Sequence, residues 1–167
     1  MAATYPDVNS LVLMSPNIAI NDPNAWLLNN PWGLQIARKV TGGDERKVDG
    51  KKPAYKKFWY TNYRLESVVA LEELLETSMN KELFEKVKQP VLLLYYFKSE
   101  TEQDPVVKVG AMLQMFDELG TPTSQKQKIA IPNAGNHVIG SSITSNDIAG
   151  VEKAMDGFIN ARLATLK

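Results

Sequence analysis

One uninterrupted apolar run, Val91-Leu92-Leu93-Leu94-Tyr95-Tyr96-Phe97 after Pro90, limits what this chain can become. It is too short for a buried helix and does not alternate. That is the pattern of a parallel strand covered on both faces. Such a strand needs parallel neighbours and a helical layer on each side. Two shorter runs supply the neighbours, residues 10–14 and 128–131. After residue 97, Val106, Val109, Leu113 and Phe116 recur at helical steps, with Asp104 as cap, Pro105 in the first helical position, and Gly120 and Pro122 at the end. A last helix places Ile148, Val151, Met155 and Phe158 or Ile159 on one face. The alternation predicts an α/β fold: a parallel sheet of about three strands, flanking helices and right-handed crossovers.

The first two strands are separated by some 75 residues, far more than one crossover requires. Residues 20–88 therefore form a helical insert. Asp22-Pro23 and Asn30-Pro31 each open a short helix, because a capping side chain precedes proline. Residues 41–57, rich in Lys and Gly, read as a mobile loop. Phe58, Trp59, Tyr60 and Tyr63 lead into a helix through Leu65, Val68, Leu71 and Leu75. Two readings of the insert stand side by side, a lid over a site and extra packing on a small fold. Residues 1–167 hold a single domain, since this length gives one core and little room for a second.

Composition narrows the function. Nineteen basic residues balance nineteen acidic ones, so no concentrated positive field marks a nucleic-acid partner. The absence of cysteine removes disulfides, thiol nucleophiles and Cys-containing metal sites, and fits a reducing compartment. A single histidine argues against zinc, and no acidic loop has the spacing for calcium. No metal and no organic cofactor is expected. The first apolar stretch is stopped by Pro16 and lacks a basic leader, so neither a signal peptide nor a membrane segment is read.

The chemistry-bearing residues sit where the predicted strands end. In parallel sheets, ligands bind outside the carboxyl ends of the strands. His137, in Asn133-Ala134-Gly135-Asn136-His137-Val138-Ile139-Gly140, follows the third strand, and Asp104 follows the second. A carboxylate accepting the Nδ1 proton would fix the imidazole tautomer and aim Nε2 at a hydroxyl. Gly135 and Gly140 would let the histidine loop turn tightly. A plain loop histidine and an ordinary capping aspartate are the simpler readings. Both tasks fit one aspartate, whose carboxylate has two oxygens. Glu100 and Glu102 are alternative acids.

With these residues in order, the chain resembles the C-terminal half of an α/β-hydrolase. The resemblance rests on Leu11-Val12-Leu13-Met14-Ser15-Pro16, the helical insert, the residue 90–96 strand, Asp104-Pro105-Val106-Val107, and Ala134-Gly135-Asn136-His137. It implies Asp104 as triad acid and His137 as triad base, acting on an ester-like or amide-like bond of a small molecule. It also implies that the nucleophile elbow and the other oxyanion donor lie upstream of residue 1, so that this chain alone is inactive. Ser15 cannot replace the nucleophile, because the following residue must donate an N–H to the oxyanion and Pro16 has none. Ser141 and Ser142 lie too near His137 in sequence. The residue 10–14 strand becomes an exposed apolar edge, which predicts homodimerisation or edge-strand pairing unless an N-terminal half covers it. The competing reading is a non-catalytic α/β interaction module with a structural His137. A nucleotide-binding, flavodoxin-like module is a weaker third, for want of a Gly-rich phosphate loop. Any targeting signal would belong to the upstream half, leaving localisation open.

Overall fold

A computed structural model describes residues 2–48 and 53–164. Its centre is a three-stranded parallel sheet of β1 (Leu11–Met14), β4 (Val91–Tyr95) and β5 (Lys126–Ala130), in the order β1-β4-β5. Leu11 lies opposite Val91 and Met14 opposite Leu94, while Val91 pairs with Lys126 and Tyr95 with Ala130. The continuous apolar run takes the middle position, and Val91 through Leu94 are 0% exposed. Alternation along β4 then builds two cores. Val91 and Leu93 pack with Val109, Met112, Met115 and Phe116 of α5 (Val109–Glu118). Leu92 and Leu94 face Ile131, Ala134 and Ile139, together with Val151 and Phe158 of α6 (Ile148–Ala164). Each buried leucine stabilises the fold by roughly 1.5–3 kcal/mol.

β5 is the polar edge that a solvated sheet margin needs, carrying Lys126, Gln127 and Lys128. Lys126 Nζ donates to the Phe116 and Asp117 carbonyls at 2.8 and 3.1 Å, satisfying the end of α5. β1 borders the other margin. Leu11 and Ser15 donate their N–H groups to Pro90 and Leu94 of the β4 side. Alternation sends Leu11 and Leu13 to the α5 core and Val12 to the α6 core, while Met14 at the strand end is exposed.

Between β1 and β4 lie a 3₁₀ turn (Ala25–Asn29), α1 (Gly33–Thr41), β2 (Glu45–Lys47), α2 (Pro53–Phe58), β3 (Asn62–Arg64), α3 (Leu65–Ser78) and α4 (Lys81–Phe84). The two proline-led starts fall just ahead of the 3₁₀ turn and α1, with Asp22 accepting the Asn24 N–H at 2.8 Å. The stretch read as a mobile loop is largely structured: β2 pairs antiparallel with β3, and α2 is its outer connection. Residues 49–52 of that stretch lie outside the described residues.

Two expectations need correction. α5 begins at Val109 rather than at Pro105, and Val106 is half exposed. The cause is tertiary. Asn21 donates its N–H to Val106, Lys108 donates to Ala19, and Ile20 bridges Val107, so residues 106–108 are drawn into extended pairing. In α3 the buried stripe runs through Leu65, Glu72 and Leu75, leaving Leu71 exposed. Steps of three and four from Leu65 reach residues 68, 72 and 75, so Leu71 falls off the stripe.

Candidate functional site

The carboxyl ends of β1, β4 and β5 share one margin, since all three strands are parallel. Asp104 reaches it through a short return loop. Lys98 and Ser99 donate to the Glu102 carbonyl, Phe97 bridges Gln103, and the Asp104 N–H meets the Tyr96 carbonyl at 3.1 Å. The chain leaves β4 and comes back to its end. Asn21 Nδ2 donates to the Asp104 carbonyl at 3.1 Å, anchoring the loop from the segment after β1. That contact spans 83 residues, and no local pattern announces it.

His137 arrives from β5. Ile131 continues the ladder by donating to Tyr95, and Ala134 and Ile139 are buried beneath the loop. Gly135 holds φ at 66°, and a Cβ there would stand 2.8 Å from Asn146 Nδ2. The left-handed φ is what favours glycine there; the Asn146 side chain could turn aside. Gly140 has no such backbone; a Cβ there would come within 3.1 Å of Sδ of the exposed, flexible Met14 side chain. Thr144 Oγ1 donates to the Val138 carbonyl at 2.7 Å, and Asn146 donates its N–H to Ala134. The histidine is therefore carried on a braced turn.

The structure brings His137 and Asp104 together: Nδ1 lies 2.8 Å from Asp104 Oδ2. The carboxylate is 0% exposed, whereas the imidazole is 25% exposed. The two oxygens divide the labour. Oδ1 accepts the N–H groups of Val106 and Val107 at 2.8 and 2.9 Å, and Oδ2 faces the ring. The turn that Asp104 caps precedes α5 and is not its first turn. Burial by itself would push this carboxyl up, but the His137 hydrogen bond and the Val107 and Val106 N–H groups outweigh it. The net effect holds Asp104 below its usual range, so it is anionic at neutral pH. An ionised carboxylate only accepts, which puts the imidazole proton on Nδ1 and leaves the Nε2 lone pair free. Among the described residues Nε2 has no hydrogen-bond partner.

The alternative acids are elsewhere. Glu100 is exposed, and Glu102 is exposed and paired with Lys98. The serines divide as well. Ser141 Oγ accepts the Ile143 N–H at 3.3 Å, and Ser142 is exposed. Ser15 is buried at the end of β1 with φ at 44°, the sole left-handed non-glycine residue among the described ones, and its Oγ has no partner. The strained turn thus forms without a flanking glycine, but the residue after it is still proline, with no N–H to offer. Among the described residues no group of three or more His, Asp or Glu side chains is placed to hold a metal.

By sequence, no protein-family model and no curated protein matches this chain. Solved structures do. The chain is similar to a structure from work on LipS and LipT, two metagenome-derived lipolytic enzymes (16% identity, TM-score 0.69, 96% of this chain and 58% of that one). It is also similar to the monoacylglycerol lipase of Paleococcus ferrophilus (18%, TM-score 0.64, 96% and 62%). A third is a soluble variant of the Saccharomyces cerevisiae monoglyceride lipase bound to a substrate analogue (16%, TM-score 0.57, 93% and 56%). The fold is accordingly a partial α/β-hydrolase fold. This chain spans about three fifths of the length of the proteins it matches.

Proposed function

We propose that the chain is the acid- and base-bearing portion of a serine hydrolase acting on ester-like bonds of small molecules. The observation that carries this reading is the 2.8 Å contact between His137 Nδ1 and the buried Asp104 carboxylate beyond the carboxyl ends of the strands. In the proposed mechanism Asp104 fixes the tautomer, and His137 Nε2 removes the proton from a serine hydroxyl as that oxygen attacks the acyl carbon. The resulting imidazolium, held by Asp104, then protonates the leaving alkoxide, and a water molecule repeats the sequence to release the acid. The serine and the oxyanion donors belong to a segment outside residues 1–167. Residues 20–88 form the lid over the acyl or alcohol pocket. The outward edge of β1 is the face that segment covers; without it, two copies pair there.

The test is hydrolysis of p-nitrophenyl acetate by this chain and by a form extended upstream in its reading frame. The extended form is expected to be active, and His137→Ala to lower its kcat by about 10⁴–10⁶. Ser15→Ala is expected to change nothing in either form. Activity that survives His137→Ala in the extended form overturns the assignment. Sedimentation of the short form reports on the edge: a strictly monomeric species at high concentration contradicts pairing through residues 10–14.

A further inference from the structure

The insert carries a feature that the acid–base pair does not use. Trp32, Ile36 and Val40 stand at steps of four along α1, so they share one face. All three are exposed, Trp32 at 71% and Val40 at 81%. Trp26 on the preceding 3₁₀ turn is exposed too, as are Phe58 and Tyr60 at the outer end of the β2–β3 hairpin. Around this end Tyr55 stacks on Trp59, and Phe58 meets Trp59 edge to face, with ring centroids 5.0 and 6.4 Å apart.

Charge is as unevenly distributed as apolar surface. The whole chain is neutral, yet the described part of residues 33–64 holds seven Lys or Arg against two Asp or Glu. Arg38 is committed to Asp44 and Glu66, and Arg64 to Glu66. Lys39, Arg46, Lys47, Lys56 and Lys57 have no acidic partner among the described residues, and Lys57 lies over the Phe58 ring. Lys39 shares α1 with exposed Ile36 and Val40, and Lys57 sits on Phe58, so cations stand beside exposed apolar side chains, a pairing that suits one occupant. Lipid headgroups with net negative charge take the cations, while the Trp, Ile and Val side chains enter the acyl boundary. Two copies joined through this surface would oppose like charges, which disfavours self-association there.

From this juxtaposition we propose that α1 and the β2–β3 hairpin form a peripheral docking surface for anionic membranes. At nine residues α1 is about 13 Å long. It lies in the interface and cannot span it. Among the described residues no helix is long and apolar enough to cross a membrane, so contact would be made from one side.

The full chain is to be co-sedimented with vesicles of phosphatidylcholine alone and of phosphatidylcholine with 30% phosphatidylglycerol, with tryptophan emission recorded in parallel. Binding is expected only to the anionic vesicles, with a blue shift, and is expected to fade in 0.5 M salt. Each of Lys47→Gln, Lys56→Gln and Lys57→Gln should weaken partitioning about fivefold, the equivalent of ~1 kcal/mol per basic residue at such a surface. Trp32→Ser with Val40→Ser should reduce the blue shift to what Trp26 and Trp59 contribute while leaving salt-sensitive binding in place. Lys153→Gln, on α6, serves as the distant control and should change nothing. Equal binding to neutral vesicles, or no binding to either, overturns the proposal. So does concentration-dependent self-association removed by Trp32→Ser, which would make a second copy the occupant. Neither outcome bears on the acid–base pair, which is read separately by ester hydrolysis.

Discussion

The sheet and the insert are built to opposite rules. Around β4 every apolar side chain has a neighbour, and four consecutive residues see no solvent. In residues 20–88 four large side chains, Trp26, Trp32, Phe58 and Tyr60, face outward, while a carboxylate, Glu72, occupies the buried stripe of α3. Packing in the first region holds a geometry; in the second, much of the apolar surface is left for something else to cover. The contrast teaches that close packing is concentrated beneath the loops that bring Asp104 and His137 together, and that the insert has less core of its own.

The sharpest way to break the comparison is to hollow the sheet. Leu93→Ala should cost about 2–5 kcal/mol in urea denaturation, because the site cannot collapse around the missing atoms. A smaller loss would mean the sheet is looser than its burial indicates. Next comes Asp104→Ala, which strands the Val106 and Val107 N–H groups and should cost roughly 1–3 kcal/mol. Its pH dependence has a definite sign. The folded carboxyl titrates below the unfolded value of about 3.9, so the unfolded chain takes up protons first as pH falls. The stability due to Asp104 is thus complete above that value and lost as pH falls through the folded one. Asp104→Ala should flatten this acid limb in a series of thermal melts.

The insert should respond in the other direction. Burial, with Glu76 nearby, pushes Glu72 up, so its contribution falls as pH rises through its raised value. Glu72→Leu should therefore stabilise by about 0.5–2 kcal/mol at neutral pH and less in acid, as melts at the two pH values would reveal. The smallest effect belongs to Trp32→Ser, within about 0.5 kcal/mol of the parent in urea. A larger loss would show that this tryptophan packs after all, and would erase the distinction between the regions.

How much of this the residues announced can be read element by element. Continuous apolarity placed β4 at the centre, and the strand-to-helix alternation placed its neighbours. The loops bearing Asp104 and His137 followed, because parallel strands end on one side. Long-range competition was hidden. Nothing local says that residues 19–21 will claim the backbone of 106–108 and delay α5, or that Asn21 will hold the Asp104 carbonyl. Glu72 was hidden for another reason: polarity at that position disguised a helical stripe that steps of three and four would otherwise have traced. The β2–β3 pair was masked by its charged composition, Glu45-Arg46-Lys47, which has no strand signature.

The register of the sheet also orders the events of its formation. Val91 meets Lys126 across 35 residues, with α5 in between, whereas Leu11 meets Val91 across 80. Closing the longer loop costs about 0.7 kcal/mol more chain entropy and raises the contact order of every β1 pairing. The β4–α5–β5 unit should therefore assemble early. β1 should join late, after waiting through the synthesis of the whole insert. On a ribosome adding about 5–20 residues per second, that wait lasts roughly 4–16 seconds. During that interval Leu11, Val12 and Leu13 are already made but still lack the β4 residues they pair with.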